Sequence, residues 1–110
     1  MTESLKVTIL SFACCNPKLA VHDKLYIERI REAEAKLGIE VKIDMVHATE
    51  AMMTPDRYSW MGEVTPLFMK YGAAIAPALF VDEHLELYGG VPTLDKLIET
   101  LKKHLPQSTT

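Results

Sequence analysis

The chain predicts an α/β fold, a four-stranded mixed sheet in the order βαβ, α, ββα with helices on both faces. Three observations carry this. A β-branched apolar run, Leu5 to Phe12, is followed by a long amphipathic stretch and then by a second, alternating apolar run. A link of that length makes the two strands parallel, joined by a right-handed crossover. Two further short apolar runs, separated by Asp82 to His84, read as an antiparallel hairpin, and a last amphipathic segment follows it.

Leu5, Val7, Ile9 and Leu10 form a run suited to a strand buried on both faces. From Lys18 to Leu37, Leu19, Tyr26, Ile30, Ala33 and Leu37 recur at helical steps, and Gly38 stands where a left-handed C-cap is expected. In the second strand, Ile39 to Val46, the residues Ile39, Val41, Ile43 and Met45 alternate with Glu40, Lys42 and Asp44, the pattern of one wet face. Thr54-Pro55 and Thr65-Pro66 each read as an N-cap with proline at the first helical position. They predict two short helices with a break near Gly62, the second running to Tyr71 and stopped by Gly72. The run Pro77 to Asp82 is a strand opening on proline, where the missing N–H does least harm. Leu85 to Tyr88 pairs with it, and Gly89-Gly90 ends the hairpin. Thr93 then opens a helix whose apolar face is Leu94, Leu97, Ile98, Leu101 and Leu105.

The 110 residues, 48% hydrophobic and 25% charged, suit one domain over residues 1–110, with 105–110 as a polar tail. No stretch approaches the roughly 18 apolar residues of a membrane span, and Met1 to Lys6 lacks a signal peptide's regions, so a soluble cytoplasmic protein is expected. A net charge of -3, with no basic run longer than Lys102-Lys103, argues against nucleic acid as partner. No membrane partner and no cofactor are expected.

The only two cysteines, Cys14 and Cys15, sit side by side where the first strand hands over to the helix opened by Asn16-Pro17. The first turn of a helix leaves N–H groups unpaired and carries a partial positive charge, which favours a thiolate. Adjacent cysteines close no useful loop, so a reactive or metal-binding role fits better than a staple.

Behind this helix-start thiol come Tyr71-Gly72, Ala76-Pro77-Ala78-Leu79, Val81-Asp82 and Gly90-Val91-Pro92. In this order they resemble the thioredoxin-like superfamily, and within it the small redox-active proteins of bacteria and archaea. The resemblance spans nearly the whole chain. It implies a thioredoxin-like fold, with Pro77 as the family's cis-proline and Ala76 offering its backbone to a bound peptide or thiol. It implies Cys15 as nucleophile, because Cys15-Asn16-Pro17-Lys18 aligns with the family's Cys-Gly-Pro-Cys. Pro17 then belongs to the substrate-binding surface. The partners implied are protein or small thiols and disulfides, and the activity is that of a thiol-disulfide oxidoreductase.

Lys18 departs from the family by occupying the place of the resolving cysteine. Cys14 is a poor substitute, since consecutive Cα atoms are about 3.8 Å apart and ordinary disulfides span roughly 4.4 to 6.8 Å. Three chemistries remain open: monothiol exchange at Cys15, metal or metalloid binding by Cys14 and Cys15, and a strained vicinal disulfide as the redox element. An adaptor without chemistry is a further alternative. Three residues after Cys15, the Lys18 ammonium stands about one helical turn away, where a cation favours the thiolate, although a solvated surface lysine is the simpler reading. Cys14 at a strand end also fits as a small buried hydrophobe.

Among the histidines, His22 is about 10 Å along the helix from Cys15, at 1.5 Å per residue. His47, at the end of the second strand, is the candidate for a supporting or ligand role, while His84 reads as a turn residue and His104 as a helix-end cation. Met45, Met52, Met53, Met61 and Met69 read as core filling rather than as a metal site. Trp60, with Tyr58, lies in a segment longer than the family's minimal form. It either shapes a substrate groove near Cys15 or covers the open face of the sheet. Asp44, a conceivable proton acceptor, points to solvent by the alternation.

Overall fold

The computed structural model describes residues 4–13, 17–54, 57–58 and 60–105. β1 (Ser4–Ser11) is followed by a 3-10 turn (Pro17–Leu19) that runs directly into α1 (Ala20–Leu37). Then come β2 (Glu40–His47), α2 (Ala48–Met53), α3 (Met61–Tyr71), a second 3-10 turn (Gly72–Ile75), β3 (Ala78–Val81), β4 (His84–Leu87) and α4 (Leu94–Lys102). The sheet order is β2-β1-β3-β4, with β1 and β2 parallel and the other pairs antiparallel. This is the expected mixed α/β architecture of the thioredoxin-like kind.

The side chains divide by strand parity. Leu5, Val7 and Ile9 of β1 join Tyr26, Ile30 and Ala33 of α1 and Leu97 and Leu101 of α4 in one core. Leu10, Phe12, Val46, Ala78 and Phe80 turn the other way, onto Ala48 and Ala51 of α2, Trp60 just ahead of α3, and Val64 within it. The helices therefore lie on both faces. The lower part of this second face stays polar, because Lys6, Lys42 and Asp44 precede the apolar positions along their strands.

Helix ends follow local chemistry in most places. Gly38 takes the left-handed conformation, at φ 66°, and its N–H donates to the Glu34 carbonyl. Thr93 caps α4, its hydroxyl accepting from the Lys96 N–H at 3.2 Å. The middle segment behaves otherwise. Thr54 closes α2, its N–H and hydroxyl both donating to the Glu50 carbonyl, and the Pro55 that follows lies outside the described residues. Pro66 lies inside an unbroken α3 that begins at Met61, so neither the break at Gly62 nor a start at Thr65 occurs. The buried Trp60 fixes the helix start earlier, with its carbonyl accepting from Glu63 and Val64. At the sixth position of α3, beyond the first turn whose donors are unpaired, Pro66 costs that helix the backbone bond to the Gly62 carbonyl.

The hairpin turns at Asp82 and Glu83, both at positive φ (50° and 70°), the pattern of the two-residue turn that matches strand twist. Between Leu79/Phe80 and their partners Leu87/Leu85 the register shifts, leaving Glu86 as an extra residue on β4. That bulge sends Leu85 and Leu87 to opposite faces: Leu85 packs on the second core and Leu87 on the first.

Candidate functional site

β1 ends and β3 begins at one edge of the sheet, and several of the candidate residues lie there. β1 runs out through Ser11, Phe12 and Ala13, and helical structure resumes at Pro17. Cys14 and Cys15, on which the sequence reading centres, lie outside the described residues, as does Asn16. Pro17 opens the 3-10 turn and Lys18 is exposed within it.

β3 begins beside this exit. Leu10 pairs with Ala78, so the Ala76-Pro77 step that leads into β3 follows directly on the last pair at the end of β1. The Ala76–Pro77 peptide bond is cis; Pro77 is buried and Ala76 half-buried. The Gly89 N–H donates to the Ile75 carbonyl at 2.8 Å, and the Arg29 guanidinium donates to the Pro92 carbonyl. These bonds tie the segment after β4 to the approach to Pro77 on one side and to α1 on the other. On the far side of β1, His47 stands opposite Ser11 in the parallel register and is exposed. His22 is exposed on α1, His84 is the exposed first residue of β4, and His104 reaches Glu86 at 2.7 Å.

The sequence reading missed a buried polar pair at this edge. Ser11 is fully buried and its hydroxyl donates to Asp23 Oδ2, a carboxylate on α1 that is 8% exposed. The same Ser11 oxygen accepts the Ala13 N–H at 3.1 Å. The signal was present: Asp23 lies three residues before Tyr26 in the stripe Tyr26, Ile30, Ala33, where an acid is out of place unless partnered.

Two hollows flank the second core. One, about 180 Å³, is apolar and is walled by Phe12, Ala48, Ala51, Met61, Val64 and Phe68. Phe12 stacks on Phe68 at 5.6 Å and stands two residues before Cys14 in the chain. The other, about 260 Å³, is polar and lies lower on the same face, among Lys6, Thr8, Asp44, Arg57 and Tyr58. Trp60 bounds it from within the core. Only 2% of Trp60 is exposed, and its ring stacks on Phe80 at 4.3 Å and meets Tyr58 at 5.0 Å. The Tyr58 hydroxyl donates to Glu50 at 2.8 Å; that bond, with some burial, pushes the phenol's pKa up. Asp44 is exposed, as its place in the alternation implies. Of the methionines, Met53 and Met69 are largely exposed and Met61 walls the apolar hollow. Among the described residues, no three His, Cys, Asp or Glu side chains come together as a metal site, and no helix is long and apolar enough to cross a membrane.

No family model matches the chain, and no curated protein matches it. Among solved structures it is similar to the arsenical resistance operon trans-acting repressor from Bacteroides vulgatus ATCC 8482. The two share 17% identity over 91% of this chain and 92% of that one, with a TM-score of 0.45.

Proposed function

We propose that this chain is a thiol redox protein of the thioredoxin-like kind, with Cys15 as a monothiol nucleophile. The reading rests on one juxtaposition. A central strand ends beside the backbone of Ala76 and Pro77, and two residues further on the chain passes through Cys14-Cys15 into helical structure that begins at Pro17. A thiol ahead of helical N–H groups is favoured as thiolate, and the Lys18 ammonium three residues later acts in the same direction. Ala76, half-buried just ahead of β3, offers backbone polar groups to an incoming peptide or small thiol.

In this mechanism the Cys15 thiolate attacks one sulfur of a partner disulfide. A new S–S bond forms as the old one breaks, and the electron pair leaves on the partner's other sulfur, which takes a proton from water. Two external thiols of the glutathione class complete the cycle: the thiolate of the first attacks the Cys15 sulfur of the mixed disulfide and releases the partner's remaining thiol, and the thiolate of the second attacks the external sulfur, leaving the two external thiols as their disulfide and Cys15 as thiolate. The partner disulfide is reduced to two thiols and the two external thiols are oxidised. The Lys18 position supplies no resolving sulfur, which is why those thiols must come from outside.

The test is the rate of iodoacetamide alkylation against pH in the Cys14→Ser variant, since the thiolate is the reacting form. A Cys15 midpoint well below the ordinary thiol value of about 8.5 is expected. A midpoint at that value removes the basis of the mechanism.

The adjacency of Cys14 and Cys15 favours a second reading, a carrier or sensor in which both thiolates hold a soft metal or metalloid. It requires both sulfurs, whereas exchange at Cys15 does not require Cys14. Titration with arsenite, comparing the full chain with Cys14→Ser, separates the two: equal weak binding by both proteins removes this reading.

A further inference from the structure

Two apolar stripes end in polar residues at the same place. On β1 the alternation Leu5, Val7, Ile9 faces α1, and its next position is the fully buried Ser11. On α1 the stripe Ala33, Ile30, Tyr26 continues to the buried Asp23. Two apolar side chains would fill these positions at less cost, because a buried carboxylate must be stripped of water and depends on its partner. Core stability therefore does not explain the pair.

Its geometry does. A serine hydroxyl has one proton, and here that proton goes to Asp23, which leaves the oxygen's lone pairs for the Ala13 N–H. Ala13 immediately precedes Cys14. We propose that Asp23 and Ser11 are positioning residues for the vicinal thiols: Asp23 orients the Ser11 hydroxyl, and that oxygen holds the Ala13 backbone and so directs how the chain leaves β1 toward Cys14 and Cys15. The chemical use of this clamp rests on the redox reading above, but its hold on the segment is measured separately.

The experiment uses the full chain in Cys14→Ser and Cys15→Ser backgrounds, so that each thiol reports alone, and reads iodoacetamide rate constants against pH together with thermal melting. In the double variant Ser11→Ala/Asp23→Leu, the melting temperature is expected to stay at or above that of the parent. The ratio of Cys15 to Cys14 rate constants on the alkaline plateau, where both are thiolates, is expected to shift about fivefold or more. Asp23→Asn keeps an acceptor for the Ser11 hydroxyl and is expected to hold that ratio within about twofold of the parent. A folded double variant with the parent's ratio overturns the proposal, as does Asp23→Asn shifting the ratio as far as the double variant. Should the double variant fail to fold, Ser11→Ala compared with Asp23→Asn decides by the same ratio. The midpoint of the parent Cys15 profile judges the redox reading and the plateau ratio judges the clamp, so either fails without the other.

Discussion

Behind one face of the sheet, α1 and α4 pack Tyr26, Ile30, Leu97 and Leu101 against Leu5, Val7 and Ile9, every one of them at most 4% exposed. Behind the other, α2 and α3 pack stacked rings, Phe12 on Phe68 and Trp60 on Phe80, and leave an apolar hollow of about 180 Å³ beside them. The 18-residue α1 lays an unbroken stripe along the strands, whereas the 6-residue α2 covers little of the second face. The first face therefore carries the tighter packing, while the second keeps room next to the strand end that leads to the cysteines.

That contrast can be broken most directly on the first face. Leu97→Ala empties a site with no exposed surface and is expected to cost about 3 kcal/mol, read from urea unfolding. A loss under about 1 kcal/mol would show that this core relaxes readily and is not the tight one. A paired enlargement sharpens the comparison. Ala33→Leu, in the first core, is expected to cost about 1–3 kcal/mol through overpacking, while Ala51→Leu grows into the apolar hollow and costs less than about 1 kcal/mol. Equal losses would erase the distinction between the faces.

The smallest effect concerns how α4 is fastened to the hairpin. Burial alone would raise the Glu86 pKa, but hydrogen bonds and charge from His104 and Lys103 outweigh it and hold the carboxyl below its ordinary value. A carboxylate depressed in the folded state contributes stability above its unfolded value, about 4.3, and loses it as pH falls through the lower folded value. Glu86→Gln is therefore expected to lower the melting temperature by a few degrees at pH 7 and to flatten its fall on the acid side. An unchanged acid slope would show that the clasp adds nothing.

Much of the first face was legible in the residues. The helical recurrence of Tyr26, Ile30 and Ala33, the glycine stop at Gly38, the alternation of β2 and the Thr93 cap are local patterns whose physics acts within a few residues. The middle segment was misread for the same reason. Thr65-Pro66 has the local form of a helix start, but Trp60 packed on Phe80 starts α3 at Met61, and a contact across twenty residues is invisible to a rule that looks three ahead.

At the candidate site, the sequence brought Cys14, Cys15, Pro17, Lys18, Ala76, Pro77 and Trp60 forward by pattern and resemblance, each by itself. The register of β1 against β3 brings Ala76 and Pro77 to the strand end, while packing draws Trp60 into the second core. Ser11 and Asp23 were passed over because a serine ending a strand and an aspartate early in a helix are ordinary in isolation. They become informative only when twelve residues of separation close into one buried bond.

By itself the sequence determined the order and type of most elements, the parallel crossover and the hairpin, because propensity, periodicity and link length act along the chain. The tertiary structure decided which face each side chain meets. Leu85 and Leu87 look equivalent in an alternating strand, yet the bulge at Glu86 sends them into different cores. Burial, register and the pairing of buried polar groups depend on neighbours distant in sequence, and those neighbours exist only once the sheet has closed over its helices.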